Sequence, residues 1–379
     1  MNDFSFQRPQ LAEAYCDSLE GKGIMNARSG LFLAGPRRVG KSTFLRDALI
    51  PQALKRNWVT VYVDLWANKS ASPENLIAEA IKACIAQCQG TLSKLAKVVK
   101  LDKINLMGAF VLDFSTSGLP DNMTLTDALA ALGQLAEKPV LLVIDEAQHA
   151  ISTKVGMNAM FAIKSARDQL NTHREKPALM LVFTGSNRDK LAHLVLRKDQ
   201  PFFGSEVTAF PLLNKDYTDA FTAWVNKSLA LTNQFTKDSM WQAFKWVGHR
   251  PEILRQLAGR IALSGDASHF AVLLEKDALV WQSRMWDEFE HDFYSLTRLQ
   301  QIILEALIMK GQAWLPFSED SMSYYKNLSE QSDVSTATVQ TAIHALRERE
   351  FIWQSGRGAY ALEDSSFAEW FKHCYLKMR

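Results

Sequence analysis

A chain of 379 residues that is 47% hydrophobic, 10% aromatic and 22% charged has ordinary globular composition, which excludes a disordered, collagen-like or disulfide-scaffold protein. At roughly 100–200 residues per domain this length suggests two or three domains. Forty-three lysines and arginines against 41 aspartates and glutamates leave a formal charge of +2, so no chain-wide field announces a nucleic-acid or membrane partner.

The four cysteines, Cys16, Cys84, Cys88 and Cys374, are scattered and are expected to be reduced. The first residues lack a basic segment followed by an apolar one, and no apolar run approaches the roughly 20 residues that cross a bilayer. The expectation is a soluble, cytoplasmic protein without a membrane partner.

In chain order, Leu31 to Gly35 is a short apolar run that breaks at glycine, and Ser42 to Leu49 reads as helix. A second run, Val59 to Leu65, precedes a helical stretch from Pro73 to Cys88. A third, Val140 to Ile144, runs into Asp145-Glu146, and a fourth, Ala178 to Phe183, ends in Thr184-Gly185-Ser186-Asn187. Val207 to Leu212 closes the series. Short continuous Val/Ile/Leu runs alternating with helices predict an α/β fold whose parallel sheet is covered on both faces. Residues 1–213 are assigned to this core, with 90–138 as an insertion whose role the pattern does not reveal. Residues 214–293 read as a helical subdomain, its Trp224, Trp241, Trp246, Trp281 and Trp286 expected in the core.

Gly35-Pro36-Arg37-Arg38-Val39-Gly40-Lys41-Ser42 matches G-x-x-x-x-G-K-[ST] without a mismatch, directly after a strand and before a helix, which is the context the motif requires. Its glycines let backbone N–H groups converge on phosphate oxygens, and the helix presents its positive end to the same anion. Lys41 neutralises the β and γ phosphates, Ser42 supplies a hydroxyl for magnesium, and Thr43 falls near the α-phosphate. The ion also needs an acid at the end of an adjacent buried strand. Asp145 is that residue, and Glu146 is placed to polarise the attacking water as general base. Thr184, Ser186 and Asn187 end the fourth strand, where a side chain can orient that water. Guanine recognition usually needs Asn-Lys-x-Asp, and Asn214-Lys215-Asp216-Tyr217 has its acid one position early, so ATP is the expected ligand.

Phe6-Gln7-Arg8-Pro9, the stretch from Leu33 to Ser42, Ile144-Asp145-Glu146-Ala147-Gln148 and Phe183-Thr184-Gly185-Ser186-Asn187 resemble the archaeal-type ATPase family, a STAND-like branch of the AAA+ P-loop ATPases. The resemblance implies an ATPase core, a helical lid and a C-terminal winged helix. It further implies Walker A at Gly35 to Thr43, Walker B at Asp145-Glu146 and sensor 1 among Thr184, Ser186 and Asn187. Gly248-His249-Arg250-Pro251 stands as the lid motif, where Arg250 or His249 approaches the γ-phosphate. Arg188 and Arg197 lie where such ATPases place an arginine finger, and Arg197 is the candidate.

From 294 to 379 the pattern gives a helix from Leu296 to Met309, another from Tyr324 to Gln331, and a third from Ser335 to Arg349 with an apolar stripe at Val339, Ile343 and Leu346. Phe351-Ile352-Trp353, a Gly356-Arg357-Gly358 turn and Tyr360-Ala361-Leu362 make a hairpin. The whole resembles a winged helix, whose third helix usually reads the DNA major groove. This stretch carries nine Lys/Arg against ten Asp/Glu, a charge that does not favour duplex binding, although Arg347, Arg349 and Arg357 can form a local patch. The sequence therefore leads to an ATP- and magnesium-dependent switch, with nucleotide between the sheet's C-terminal edge and the lid and hydrolysis changing how the C-terminal module is held. A protein partner or homo-oligomer is expected. The alternatives are an ATP-controlled DNA-binding regulator or loader, and a nucleotide-dependent scaffold for a separate effector.

Overall fold

The computed structural model describes residues 4–23, 25–68, 70–93, 103–106, 110–113, 117–120, 123–264, 269–329 and 334–378. Strands β1 (Leu31–Ala34), β2 (Val59–Asp64), β3 (Lys103–Leu106), β4 (Phe110–Asp113), β5 (Val140–Asp145), β6 (Leu179–Gly185) and β7 (Val207–Ala209) precede residue 210. Five of them form one parallel sheet in the order β2-β5-β6-β1-β7, while β3 and β4 pair as an antiparallel hairpin. Strands β1, β5 and β6 are buried at every position, which is why their sequences are continuous apolar runs rather than alternating ones. The edge strand β2 buries Val61 and Val63 and half-exposes the residues between them. The sequence reading placed the acidic strand next to the strand that enters the phosphate loop. The sheet order corrects this, because β6 stands between β1 and β5; apolar patterning identifies strands but not their lateral order.

The helix after the loop Pro36–Gly40 opens at Lys41–Phe44, widens over Leu45–Leu49 and continues as Ile50–Lys55, six residues beyond the expected end. Pro51 removes one donor from the helical ladder, and the widened turn stands immediately before it, so the chain adjusts instead of stopping. Helices Pro73–Ser93, Leu125–Ala136 and Lys154–Asn171 pack on one another, the first also against β2 and the last against β6. Leu125–Ala136 lies within the stretch assigned to an insertion. It starts at a reciprocal cap between Thr124 and Asp127, and it buries Leu125, Ala128, Leu129 and Leu132 in the same core as the sheet residues Val140, Leu142 and Ile144.

The residues divide into two units, one of Gln7–Gly35 and Lys41–Phe210, the other of Met1–Phe6, Pro36–Gly40 and Pro211–Arg379. In the second unit, helices Lys215–Asn226, Lys237–Trp246 and Pro251–Leu263 and the front of helix Phe270–Tyr294 enclose Tyr217, Phe221, Met240, Phe244, Leu254 and Leu274. The far end of that last helix contributes Phe293 to a further core with Trp314, Tyr325, Leu346, Trp370 and Phe371. The five tryptophans expected inside are partly buried, four against the first of these cores and Trp286 against the second; so large a side chain is rarely buried in full.

The C-terminal module consists of helices Arg298–Lys310, Glu319–Ser329 and Thr336–Glu348, an antiparallel hairpin of β8 (Ile352–Gly356) and β9 (Ala359–Leu362), and a closing helical segment running from Ser366–Trp370 to Leu376–Met378. The sequence reading did not anticipate this closing segment. No described helix is long and apolar enough to cross a membrane.

All four cysteines are free. Burial pushes the thiol of Cys16 up to about 12 and that of Cys84 up to about 11, so both stay protonated near neutrality, and the thiolate is the reactive form. An aromatic disulfide reagent at pH 8 should leave both unmodified in the native protein and react with them once the chain is unfolded. Because Leu129 is fully buried among sheet residues, Leu129→Ala should destabilise the first unit by about 2–5 kcal/mol, read as a lower urea midpoint. A neutral result would make Leu125–Ala136 peripheral.

Candidate functional site

Parallel register brings the C-terminal ends of the central strands to one edge. Ala34 pairs with Gly185, Ile144 with Phe183 and Asp64 with Asp145. The next residue continues the alignment, as the Gly35 N–H donates to the Gly185 carbonyl at 3.2 Å. Chain direction across the sheet also reverses at β1, since β2, β5 and β6 lie to one side of it and β7 to the other. In open α/β sheets, ligands bind at the strand C-terminal ends beside such a reversal.

From that edge the chain enters the loop Pro36–Gly40. Arg38 and Gly40 have φ of 66° and 93°, and a Cβ built on Gly40 meets nothing within 4 Å. Backbone conformation rather than space therefore calls for glycine there. Val39 is buried, whereas Arg37 and Arg38 are exposed. Lys41 opens the following helix with its side chain buried, and its Nζ donates to the Gly35 carbonyl at 2.7 Å. Ser42 is half-buried and Thr43 exposed.

Asp145, 1% exposed at the end of β5, is the most heavily bonded carboxylate of this edge. Its Oδ1 accepts from the Thr184 hydroxyl and from the Glu146 N–H, and its Oδ2 accepts from the Tyr62 hydroxyl at 2.8 Å. All three groups donate, which is the arrangement an ionised carboxylate requires. Burial, followed by the proximity of Asp145, pushes the Tyr62 phenol well above its ordinary range, so Tyr62 remains a donor. A carboxylate has about four acceptor positions, and three are taken. The remaining capacity, with the Ser42 hydroxyl, fits an ion such as magnesium, which keeps several waters and takes few protein oxygens. No cluster of three or more His, Cys, Asp or Glu exists among the described residues, so a metal caged by protein alone does not fit.

Glu146 follows with φ 55°, a left-handed turn that carries its side chain away from the strand direction. Its Oε2 accepts from the Ser186 hydroxyl at 2.9 Å and from the Gln148 amide, which also reaches Ser186 Oγ at 3.1 Å. The three residues named for the end of β6 thus have separate tasks. Thr184 bonds Asp145 and Ser186 bonds Glu146, while Asn187 caps helix Arg188–Leu196 by accepting from the Lys190 N–H at 2.7 Å. Sequence reasoning assigned no task to Tyr62 or Gln148. Gln148 was visible two residues past Glu146, and Tyr62 lies one turn of the strand alternation before Asp64.

Arg197 ends the Arg188–Leu196 helix, is largely exposed, and has Asp199 at 3.4 Å. In the second unit, His249 sits against the rings of Trp241 and Phe244 with its Nδ1 2.9 Å from the Leu213 carbonyl. Arg250 stands immediately before helix Pro251–Leu263 and directs its guanidinium to Asp364 at 3.4 Å, over the Trp281 ring. Arg38 of the loop lies in this unit too, 3.9 Å from Glu252.

No protein-family model and no curated protein sequence matches the chain. Among solved structures it is similar to the Walker-type ATPase PABY2304 of Pyrococcus abyssi, at 17% identity and a TM-score of 0.57 over 97% of this chain and 96% of that one. It is also similar to the ORC2 protein of Aeropyrum pernix in its ADP form, at 12% identity and a TM-score of 0.55 over 98% and 93% of the two chains. The likeness is one of fold, and it spans nearly the whole of this chain.

Thr184→Val keeps the β-branched shape but leaves buried Asp145 without one donor. Removing a hydrogen bond to a buried charge should cost about 1.5–3 kcal/mol, measured by urea denaturation, with Thr184→Ser restoring most of the loss.

Proposed function

We propose that the chain binds ATP on the segment Gly35 to Thr43 and hydrolyses it in a magnesium-dependent reaction, acting as a molecular switch. The observation that carries this reading is the bonded series on the sheet edge. Lys41 is tied to Gly35, Gly35 to the strand end at Gly185, and Thr184, one residue earlier, to Asp145. Loop lysine and acidic strand end are thereby fixed to neighbouring positions of one strand, although about a hundred residues separate them.

In this reading the backbone N–H groups of Pro36-flanking residues Arg37, Arg38, Val39 and Gly40 bind phosphate oxygens, with Gly35 setting where the loop begins and Lys41 neutralising the charge of the β and γ phosphates. Ser42 and Asp145 would hold magnesium, which when bound offsets phosphate charge. Thr43 completes the segment. Glu146 orients and polarises the attacking water; its Oε2 is held by Ser186 and Gln148, which fixes the carboxylate before substrate arrives, so little reorganisation remains for the reaction. Thr184 acts by positioning Asp145, and Asn187 by ordering the turn that carries Ser186. Arg250 is the lid residue proposed for the γ-phosphate, and exposed Arg197 is the arginine proposed as a finger.

The C-terminal module is proposed as the element that responds to nucleotide and docks a protein partner or second copy. The exposed face of its third helix presents Gln340, Thr341, His344 and Glu348, with half-buried Arg347 as the single cation among the helix's own residues, few charges with which to neutralise DNA phosphates.

Lys41→Ala should abolish both nucleotide binding and hydrolysis. Glu146→Gln should bind ATP as the native chain does while hydrolysing it about a hundredfold more slowly or worse, measured by phosphate release beside equilibrium binding. Equal turnover in all three proteins would overturn the proposal.

A further inference from the structure

The Arg250 guanidinium sits at a junction inside the second unit. It precedes helix Pro251–Leu263, whose Leu254 and Leu257 belong to the helical core, and it reaches Asp364, which precedes the closing helix whose Phe367 and Trp370 belong to the C-terminal core. Gly248 makes this approach possible, since a Cβ there would lie 3.0 Å from Arg250 Nη1. Trp281 stacks beneath the group at 5.1 Å and Met285 Sδ contacts Nη1 at 3.2 Å.

The ion pair itself is loose. One Nη2–Oδ2 contact of 3.4 Å is longer than the roughly 2.7–2.9 Å of a charge-assisted bond, and the paired bonds available to a guanidinium are not formed. Asp364 is also divided between two tasks, because its Oδ1 accepts from the N–H of Ser366, the first residue of the closing helix, at 2.9 Å. Arg250 meanwhile lies close enough to Arg38 of the phosphate loop to be repelled by it, and that repulsion, after burial, pulls the guanidinium below its ordinary range. Glu252 and Glu288 are the other acids near this pair of cations. The acids are spread around the pair, and the one that contacts Arg250 does so through a single long contact, which leaves its other N–H groups able to take a phosphate.

Resting on the ATP-binding reading above, we propose that Asp364 and a phosphate of the nucleotide held on Pro36–Gly40 compete for Arg250. Without nucleotide, Arg250 braces the start of the closing helix through Asp364. A triphosphate draws the guanidinium to itself, the brace opens, and the segment from Asp364 through Ser366–Trp370 loosens. The module's response to nucleotide thus begins at a single exchange of anions, and by linkage anything that stabilises the brace weakens nucleotide binding by the same factor.

Asp364→Asn separates competition from simple bracing, because asparagine retains the oxygen that caps Ser366 and is as good a cap as aspartate while losing the charge that pairs with Arg250. Binding of a fluorescent non-hydrolysable ATP analogue should tighten about five- to tenfold in Asp364→Asn, and Asp364→Ser, also a competent cap, should tighten it similarly. Arg250→Ala should weaken binding, and adding Asp364→Asn to it should change nothing more. Amide hydrogen exchange over 364–370 should rise when the analogue binds the native chain and be high with or without it in Arg250→Ala. Unchanged affinity in both Asp364 variants would overturn the competition while leaving ATP binding intact. Failure of the native chain to bind the analogue would overturn the ATP-binding reading and the competition together.

Discussion

The carboxylate of Asp145 is the interaction on which the rest of this edge depends. An ionised acid with almost no access to water survives only if its environment donates to it, and here the donors come from three directions: Tyr62 on one neighbouring strand, Thr184 on the other, and the N–H of the following residue. The same bonds hold β2, β5 and β6 in register at their C-terminal ends. A slip of one residue in any of them would turn its side chain to the opposite face and strip the carboxylate of a partner. Fold and site are therefore specified by one set of contacts, and a sequence selected to keep the acid bonded also keeps the sheet aligned.

From this point the other groups are placed by short covalent or hydrogen-bonded steps. Glu146 is the next residue and turns out of the strand through a left-handed backbone. Ser186 is two residues past Thr184 and meets Glu146, while Asn187 spends its side chain on the helix that follows. Gln148 joins Glu146 and Ser186, and a Cβ on Gly185 would lie 2.8 Å from its Oε1. Glycine at 185 thus leaves room for a side chain that fixes the proposed base, and the Gly35 bond to its carbonyl ties the start of the loop Pro36–Gly40 to the same place.

Much of this was legible in the residues, for reasons that differ between elements. Strands β1, β5 and β6 announce themselves because burial on both faces leaves only apolar residues, and the loop Pro36–Gly40 is marked by the glycine at position 40, whose φ is 93°. The order of strands was not legible. Nothing in Val140 to Ile144 says that β6 rather than β1 is its neighbour, and that fact alone decides that Thr184 and not a residue of β1 bonds Asp145. Individual tasks within Thr184, Ser186 and Asn187 were hidden for a related cause, since all three are small polar residues and only register distinguishes them. Leu125–Ala136 was obscured by the turn signals before it, and the closing helix after β9 by its brevity and aromatic content. Arg250 was singled out from the lid motif, yet its contact with Asp364, 114 residues onward, is a tertiary fact that no local pattern carries.

Lys41 and Asp145 are proposed to serve one triphosphate, and a crystal structure of the chain grown with a non-hydrolysable ATP analogue and magnesium is the decisive measurement. The phosphates are expected along Gly35 to Thr43 in contact with Lys41 Nζ, with a metal ion about 2.1 Å from Ser42 Oγ and joined to Asp145 directly or through one water. Nucleotide bound elsewhere, or phosphates on the loop with the metal held by residues other than Ser42 and Asp145, would contradict it.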